Sequence, residues 1–301
     1  MFSQWLLALV VGTLAICGAS GGVGIESAAR LLALSDAQQQ LCLGGEAVVE
    51  RTLPFVTISY AQTLDGSIAP LNRTRLDISS PTSFRLLHSL RARHDGVLVG
   101  INTVLADQPR LNVRDPLPGV DIPLPEKQPR PIVIDSELRI LEVEKLRLER
   151  PIVCSCLLDG QSSIEVETRW VQARMRLEAL GGHLVACKRQ GGQCDLGSCL
   201  TALKQRLGLN SILIEGGAGI IQSVLEEGLA DQVVLTLRPC FFGGYRALRR
   251  QLPKGPASLE QVSVASIGGD VVMHGLISYP SHDAGDEAFT PPSRSLVHLL
   301  L

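Results

Sequence analysis

A chain of 301 residues, 45% hydrophobic and 19% charged, holds enough apolar material for a substantial core, and its low charge excludes a mostly disordered polymer. Its 28 basic residues meet 30 acidic ones, a formal net charge of -2, so no basic excess points to nucleic acid. Aromatic residues reach only 4%, which disfavours base-stacking platforms and carbohydrate-binding grooves.

Residues 1–52 read as a hydrophobic leader and linker. Leu6 to Cys17 is one apolar stretch, LLALVVGTLAIC. It is shorter than the about 20 residues a spanning helix needs, so no stable membrane span is expected. Its length and the small residues that follow suit a secretory signal, yet no Lys or Arg precedes it. A cytoplasmic location is therefore favoured, with an N-terminal targeting segment as the alternative. Gly21 to Glu50 carries a short helical patch near Ala28 to Leu34. At the other end, residues 280–301 are polar with a Pro pair and read as a flexible tail. Residues 53–279 are left as the working domain.

Within that domain short β-rich runs alternate with helical patterns. FVTISYA (Phe55 to Ala61) reads as a strand. Ser80 and Pro81 then open a helix, Ser80 as its cap and Pro81 at its first position, with Phe84, Leu87 and Leu90 recurring on one face. GVLVG (Gly96 to Gly100) is wholly apolar, as a buried parallel strand should be. PIVID (Pro131 to Asp135), PIVCSC (Pro151 to Cys156), HLVAC (His183 to Cys187) and SILIE (Ser211 to Glu215) are further strands. A surface connection over Asp115 to Pro129 precedes PIVID. Helices are predicted around Leu196 to Leu207 and from Ala218 to Glu227, the latter leading into DQVVLTLRP (Asp231 to Pro239). DVVMHGLISY (Asp270 to Tyr279) closes the domain. This alternation predicts an α/β fold, a mostly parallel sheet with helices on both faces. The last two strands, joined without a clear helix, suggest an antiparallel edge.

Ligands in such sheets bind beyond the carboxyl ends of the strands. The sharpest signal there is EGGAG, Glu215 to Gly219, a strand running into a helix through glycines that let backbone amides approach a phosphate. It is not the G-x-G-x-x-G fingerprint, because Gln222 holds the third position, and no G-x-x-x-x-G-K-[ST] occurs. A second feature is VLVGINTVLADQPRLNVR, Val97 to Arg114. There Thr103, Asp107, Leu111 and Arg114 recur at near-helical steps, although Pro109 ends any helix near Gln108. A hydroxyl, a carboxylate and a guanidinium grouped after a strand suit a phosphorylated polar ligand. Arg91 ends the preceding helix, where it either complements the helix dipole or reaches the same phosphate. Asp65-Gly66 is a turn signal, so Asp65 has a turn-stabilising reading.

Other chemistries fit less well. The eight cysteines show no paired C-x-x-C units and no zinc-ligand spacing with histidines, so buried thiols are expected and no metal site is assigned. No histidine has a triad context and no G-x-S-x-G elbow is present, which disfavours hydrolysis. The H-x-E and P-C-x-x-C strings of zinc deaminases are absent.

Taken in order, AQTLDGSIA (Ala61 to Ala69), LRARHDGVLVGINTVLADQPRLNVR (Leu90 to Arg114), RPIVIDS (Arg130 to Ser136) and LIEGGAGIIQSVLEEGLADQVVLTLRPCFFGG (Leu213 to Gly244) resemble the riboflavin-biosynthesis reductase family. The resemblance implies a dihydrofolate-reductase-like three-layer fold, a homodimer, NADPH as cofactor and a phosphoribosylamino-pyrimidine as substrate. With no deaminase in the chain, it is similar to the stand-alone fungal and archaeal form. That form reduces the ribosyl group of 2,5-diamino-6-ribosylamino-4(3H)-pyrimidinone 5′-phosphate to ribityl. The alternatives are the same chemistry on 5-amino-6-(5-phosphoribosylamino)uracil, a catalytically silent nucleotide-binding member, and a reductase of folate-like pterins. By resemblance the cofactor would meet Ala61, Thr103, Asp107, Ser136 and the turn Gly217, Ala218, Gly219, Ile220, Ile221, Gln222 and Ser223. The substrate would meet Arg91, Leu111, Arg114 and Glu215, and Asp107 and Glu215 are the candidates for proton transfer.

Overall fold

In a computed structural model the described residues are 22–44, 51–72, 76–159 and 163–280. The apolar stretch Leu6 to Cys17 and the tail beyond residue 280 lie outside them. Among the described residues no helix is long and apolar enough to cross a membrane.

The apolar runs become a nine-stranded sheet. Its strands include β1 (Phe55–Thr63), β3 (Gly96–Gly100), β4 (Arg130–Ile134), β5 (Ile152–Ser155), β6 (His183–Ala186), β9 (Ser211–Gly216) and β10 (Gln232–Arg238). The hairpin of β12 (Ser258–Ile267) and β13 (Asp270–Ser278) completes it, in the order β12-β13-β10-β1-β9-β3-β4-β5-β6. From β10 to β6 every neighbouring pair is parallel, while β10–β13 and β13–β12 are antiparallel. The expected antiparallel edge is therefore present, one strand further out than the sequence suggested. Small antiparallel ribbons join β2 (Ser67–Ala69) to β11 (Tyr245–Arg246) and β7 (Arg189–Gln190) to β8 (Gln193–Cys194).

Successive side chains of a strand point to opposite faces, and here both faces are covered. Val97, Val99, Val133, Val153 and Leu213 enter one core, with helices α1 (Gly22–Gly44), α2 (Pro81–Arg91), α3 (Ile101–Asp107) and α4 (Ile164–Glu178) on that side. Leu98, Ile132, Ile134, Ile152, Cys154, Ile212 and Ile214 enter the other, under α5 (Leu196–Leu207) and α6 (Ala218–Glu227). This is the three-layer α/β architecture expected from the alternation of elements.

Helix α2 starts as predicted, with the Ser80 hydroxyl accepting from the Ser83 amide and Pro81 in its first turn. Its buried face is shifted, however: Leu86 and Leu90 are buried and Phe84 is exposed. Adjacent leucines at 86 and 87 leave the helical phase ambiguous in the sequence.

Helix α1 corrects the boundary placed at residue 53. Ala28, Leu31 and Leu32 are buried in the first core, and burying each leucine is worth about 1.5–3 kcal/mol. Ser35 accepts from Gln232 of β10 at 2.9 Å, and Asp36 pairs with Arg93 at 3.1 Å. The segment is part of the folded unit, and the helix is far longer than the expected patch.

Gln232 also belongs to a buried polar chain near the amino ends of the strands. The His94 Nδ1–H donates to the Leu90 carbonyl, and its Nε2 accepts from Thr57. Thr57 in turn accepts from Gln232, whose Oε1 accepts from His274 Nε2. Burial lowers the pKa of both histidines to about 4, so the chain is built from neutral rings.

Candidate active site

At the carboxyl edge of the sheet the chain leaves β9 through α6 towards β10, and leaves β3 through α3 towards β4 on the opposite side. Divergence of this kind opens a crevice between adjacent strands, the usual ligand position in such sheets.

The glycine corner forms one wall. Gly216 and Gly217 have φ of 130° and 64°, backbone that an L side chain rarely adopts. A Cβ on Gly217 would sit 3.2 Å from the Thr103 hydroxyl, so the corner packs directly on α3. The Gly217 carbonyl accepts from Ile220 and Ile221. Among the described residues the amides of Ala218 and Gly219 meet no acceptor, and no side chain caps the helix. These amides stand at the positive end of a ten-residue helix.

The turn from Gly217 to Ser223 thus divides. Ile221 is buried in the core, and Ile220 packs against Gly100. Buried Gln222 faces away from the corner, accepting from the Arg249 and Arg250 amides and donating to Glu226 and the Arg250 carbonyl. Gln222 and Ile221 therefore hold the helix in place, and Ser223 is half-buried one turn beyond the free amides.

Thr103 and Asp107 lie one helical turn apart on α3, both half-buried, and the helix stops at Gln108, which is left-handed at φ 43°. Leu111 also has positive φ, 55°, with its side chain in the core. A leucine held there stores about 1–3 kcal/mol of strain, a cost often concentrated at ligand sites. Leu111 consequently offers its backbone, not its side chain.

The loop after Leu111 is docked on α2. Arg85 donates to the Pro116 carbonyl, Ser89 accepts from the Leu117 amide, and His88 Nδ1 accepts from the Arg114 amide at 2.9 Å. Burial, with Arg91 and Arg114 nearby, lowers the His88 pKa to about 3, which keeps the ring a neutral acceptor. The sequence showed His88 only as a residue inside a helix; nothing local marked it as the holder of Arg114.

Arg91 completes this bracket. Its Nε and second terminal nitrogen reach the two Glu215 oxygens at 2.5 and 2.6 Å, and its remaining terminal nitrogen donates to the Asn112 carbonyl. Both side chains are more than 90% buried. The reading of Arg91 as a phosphate ligand is therefore corrected: its charge is neutralised by Glu215, and the pair ties β9 to the loop. Arg114 is different. It is exposed, with a 2.8 Å contact to Asn112 Oδ1.

Ser136, half-buried, follows β4, and Ala61 lies near the end of β1. Strands β1, β9, β3 and β4 are consecutive, so three spacings of about 4.8 Å set these residues roughly 14 Å apart along one edge. Asp135 holds the Ser136 loop, accepting from the Arg139 and Ile140 amides; its burial raises the carboxyl pKa. Asp65 acts as the turn residue expected, accepting from Thr63, Ser67 and the amides of Phe242 and Gly243. Those bonds lower its pKa.

Residues 54–273 match the RibD C-terminal domain family. A Candida glabrata protein named 2,5-diamino-6-ribosylamino-4(3H)-pyrimidinone 5′-phosphate reductase is 30% identical over 73% of this chain and 88% of its own length. An Archaeoglobus fulgidus protein of the same name is 29% identical over 64% of this chain and 83% of its own length. Among solved structures, the Saccharomyces riboflavin biosynthesis reductase Rib7 shares the fold. Its TM-score is 0.57 at 24% identity, over 81% of this chain and 99% of that one.

Proposed function

The chain belongs to the RibD C-terminal domain family, and from that membership we propose that it is an NADPH-dependent reductase of riboflavin biosynthesis. Its substrate is 2,5-diamino-6-ribosylamino-4(3H)-pyrimidinone 5′-phosphate, whose ribosyl group it reduces to ribityl. The observation that carries the reading is the corner at Gly217: it packs on Thr103, its φ of 64° disfavours a side chain, and it presents the Ala218 and Gly219 amides. These residues fit a dinucleotide diphosphate.

NADPH, when bound, supplies the hydride for C1′ of the ribosyl group. The Ala218 and Gly219 amides would hold the diphosphate, and Ala61, Thr103 and Ser136 would meet the cofactor along the strand ends. Arg114 takes the sugar phosphate through its planar fork. The Arg91–Glu215 pair and His88 act as positioning residues that fix the Arg114 loop, and the Leu111 backbone faces the substrate. With both Glu215 oxygens bonded to Arg91, proton transfer falls to Asp107, whose carboxyl serves the sugar ring oxygen as the furanose opens. The protein's main contribution is alignment of the two reacting carbons and exclusion of water. The active unit is a homodimer, as the family resemblance implies.

The test is NADPH oxidation by the purified full chain, with each pyrimidine phosphate offered separately. Faster turnover of the diamino-pyrimidinone is expected. Preference for the deaminated uracil would reassign the substrate, and oxidation with neither would make the chain a silent binder.

A further inference from the structure

Five of the cysteines collect in one place. Cys154 belongs to β5, Cys156 follows it, Cys187 follows β6, Cys194 ends β8 and Cys199 lies in the first turn of α5. All five are buried in the core between the sheet and α5, and all are free thiols. The sulfurs of Cys154, Cys187 and Cys199 lie within 4.8 Å of one another. Cys194 lies beside this trio, its Sγ 3.7 Å from the Cys154 carbonyl oxygen.

We propose that Cys154, Cys187 and Cys199, with Cys194 as the fourth ligand, form a tetrathiolate site for zinc or a similarly thiophilic divalent cation. The geometry is of the right size. Zinc–sulfur bonds of about 2.3 Å in a tetrahedron separate the sulfurs by roughly 3.8 Å. The ligands come from separate elements, so no local spacing announces the site in the sequence, and the absence of C-x-x-C units gave no guide to it. Simple packing does not ask for this arrangement. Valine or alanine fills such a core equally well and brings no ionisable groups together.

The surroundings provide access. Cys187 lines a cavity of about 570 Å³ whose charged groups, Lys188 and Arg206 with Asp159 and Asp195, balance one another. Each thiol loses its proton on binding, so protons are released and affinity rises with pH. The site would also stiffen the cofactor edge. The Cys194 amide donates to Ser136 Oγ at 2.9 Å, and the Ser136 carbonyl accepts from Ser155. A metal would therefore staple β5, the exit of β6 and α5 beside that loop.

The experiment is an anaerobic titration of the reduced, chelator-stripped full chain with Co²⁺. The expected result is the visible bands of tetrahedral cobalt and sulfur-to-cobalt charge transfer, saturating at one equivalent and abolished by Zn²⁺. Cys199→Ala should lose them, whereas Cys240→Ala, at an exposed position outside the cluster, should keep them. Zn²⁺ should also raise the wild-type melting temperature and leave that of Cys187→Ala unchanged. The wild-type titration decides the matter even if a variant fails to fold. No thiolate bands at stoichiometric cobalt, or bands that survive in Cys199→Ala, would overturn the site.

Discussion

The two edges of the parallel sheet are built to opposite plans. At the amino edge most polar groups are closed on one another, with His274 Nδ1 and Arg130 Nη2 the buried atoms left without a partner among the described residues. Asp95 accepts from Asn210 and Ser211, Asp231 binds Arg51 and the Val56 amide, and the Thr57–His94–Gln232–His274 chain lies sealed beneath α1. At the carboxyl edge the Ala218 and Gly219 amides have no acceptor among the described residues, Arg114 is exposed and Leu111 is strained. Buried polar groups are normally satisfied, so a well-packed edge that leaves donors unspent marks where a ligand completes the structure. Arg91 and Arg114 differ in burial: the first is enclosed in its pair with Glu215, the second is exposed.

Breaking the closed element beneath the open edge should have the largest effect. Arg91→Ala leaves the buried Glu215 carboxylate unpaired and should cost about 3–5 kcal/mol of stability in urea unfolding. A loss confined to substrate affinity, with stability intact, would return Arg91 to the phosphate site. Asp107→Asn should lower kcat about a hundredfold while the NADPH dissociation constant changes little. Equal losses in both would make Asp107 a cofactor-positioning residue. Arg114→Ala should raise KM for the phosphorylated substrate roughly ten- to a hundredfold, the worth of a charge-assisted bond of about 1.5–3 kcal/mol. Its folding stability should match wild type, unlike Arg91→Ala.

The smallest effect per group concerns pH. Burial lowers the folded-state pKa of His88 to about 3 and of His94 and His274 to about 4, against an ordinary value near 6.5. Below that ordinary value the unfolded chain binds protons that the folded chain refuses, so stability falls as pH drops from about 6.5 towards 4. Between pH 7 and pH 6 each ring should cost about 0.7 kcal/mol. Denaturant midpoints that stay level over that interval would show that these rings are not held neutral.

Much of the fold was legible where one pattern ruled. GVLVG, the Ser80–Pro81 cap and the α6 helix after EGGAG all form as the residues suggest. Helix α4 was not foreseen, because only Ala173 and Leu177 are buried along it and Ile164 is exposed, too narrow a stripe for a helical period. Strand β12 was hidden by a register shift between Glu260 and Ser263, with Gln261 at positive φ breaking the alternation. In the site, the glycine corner and Arg114 were visible as local motifs. The Arg91–Glu215 pair, the support from His88 and the thiol cluster join residues far apart in the chain, and no local spacing encodes them.

The most direct measurement follows backbone amide resonances of the full chain during titration with NADPH and then with the pyrimidine phosphate. Ala218 and Gly219 should shift with the first ligand and Arg114 with the second, while the amino-edge residues Thr57, His94, Gln232 and His274 stay still. Movement of the amino edge, with the amides of Ala218 and Gly219 unchanged at saturation, would contradict the assignment.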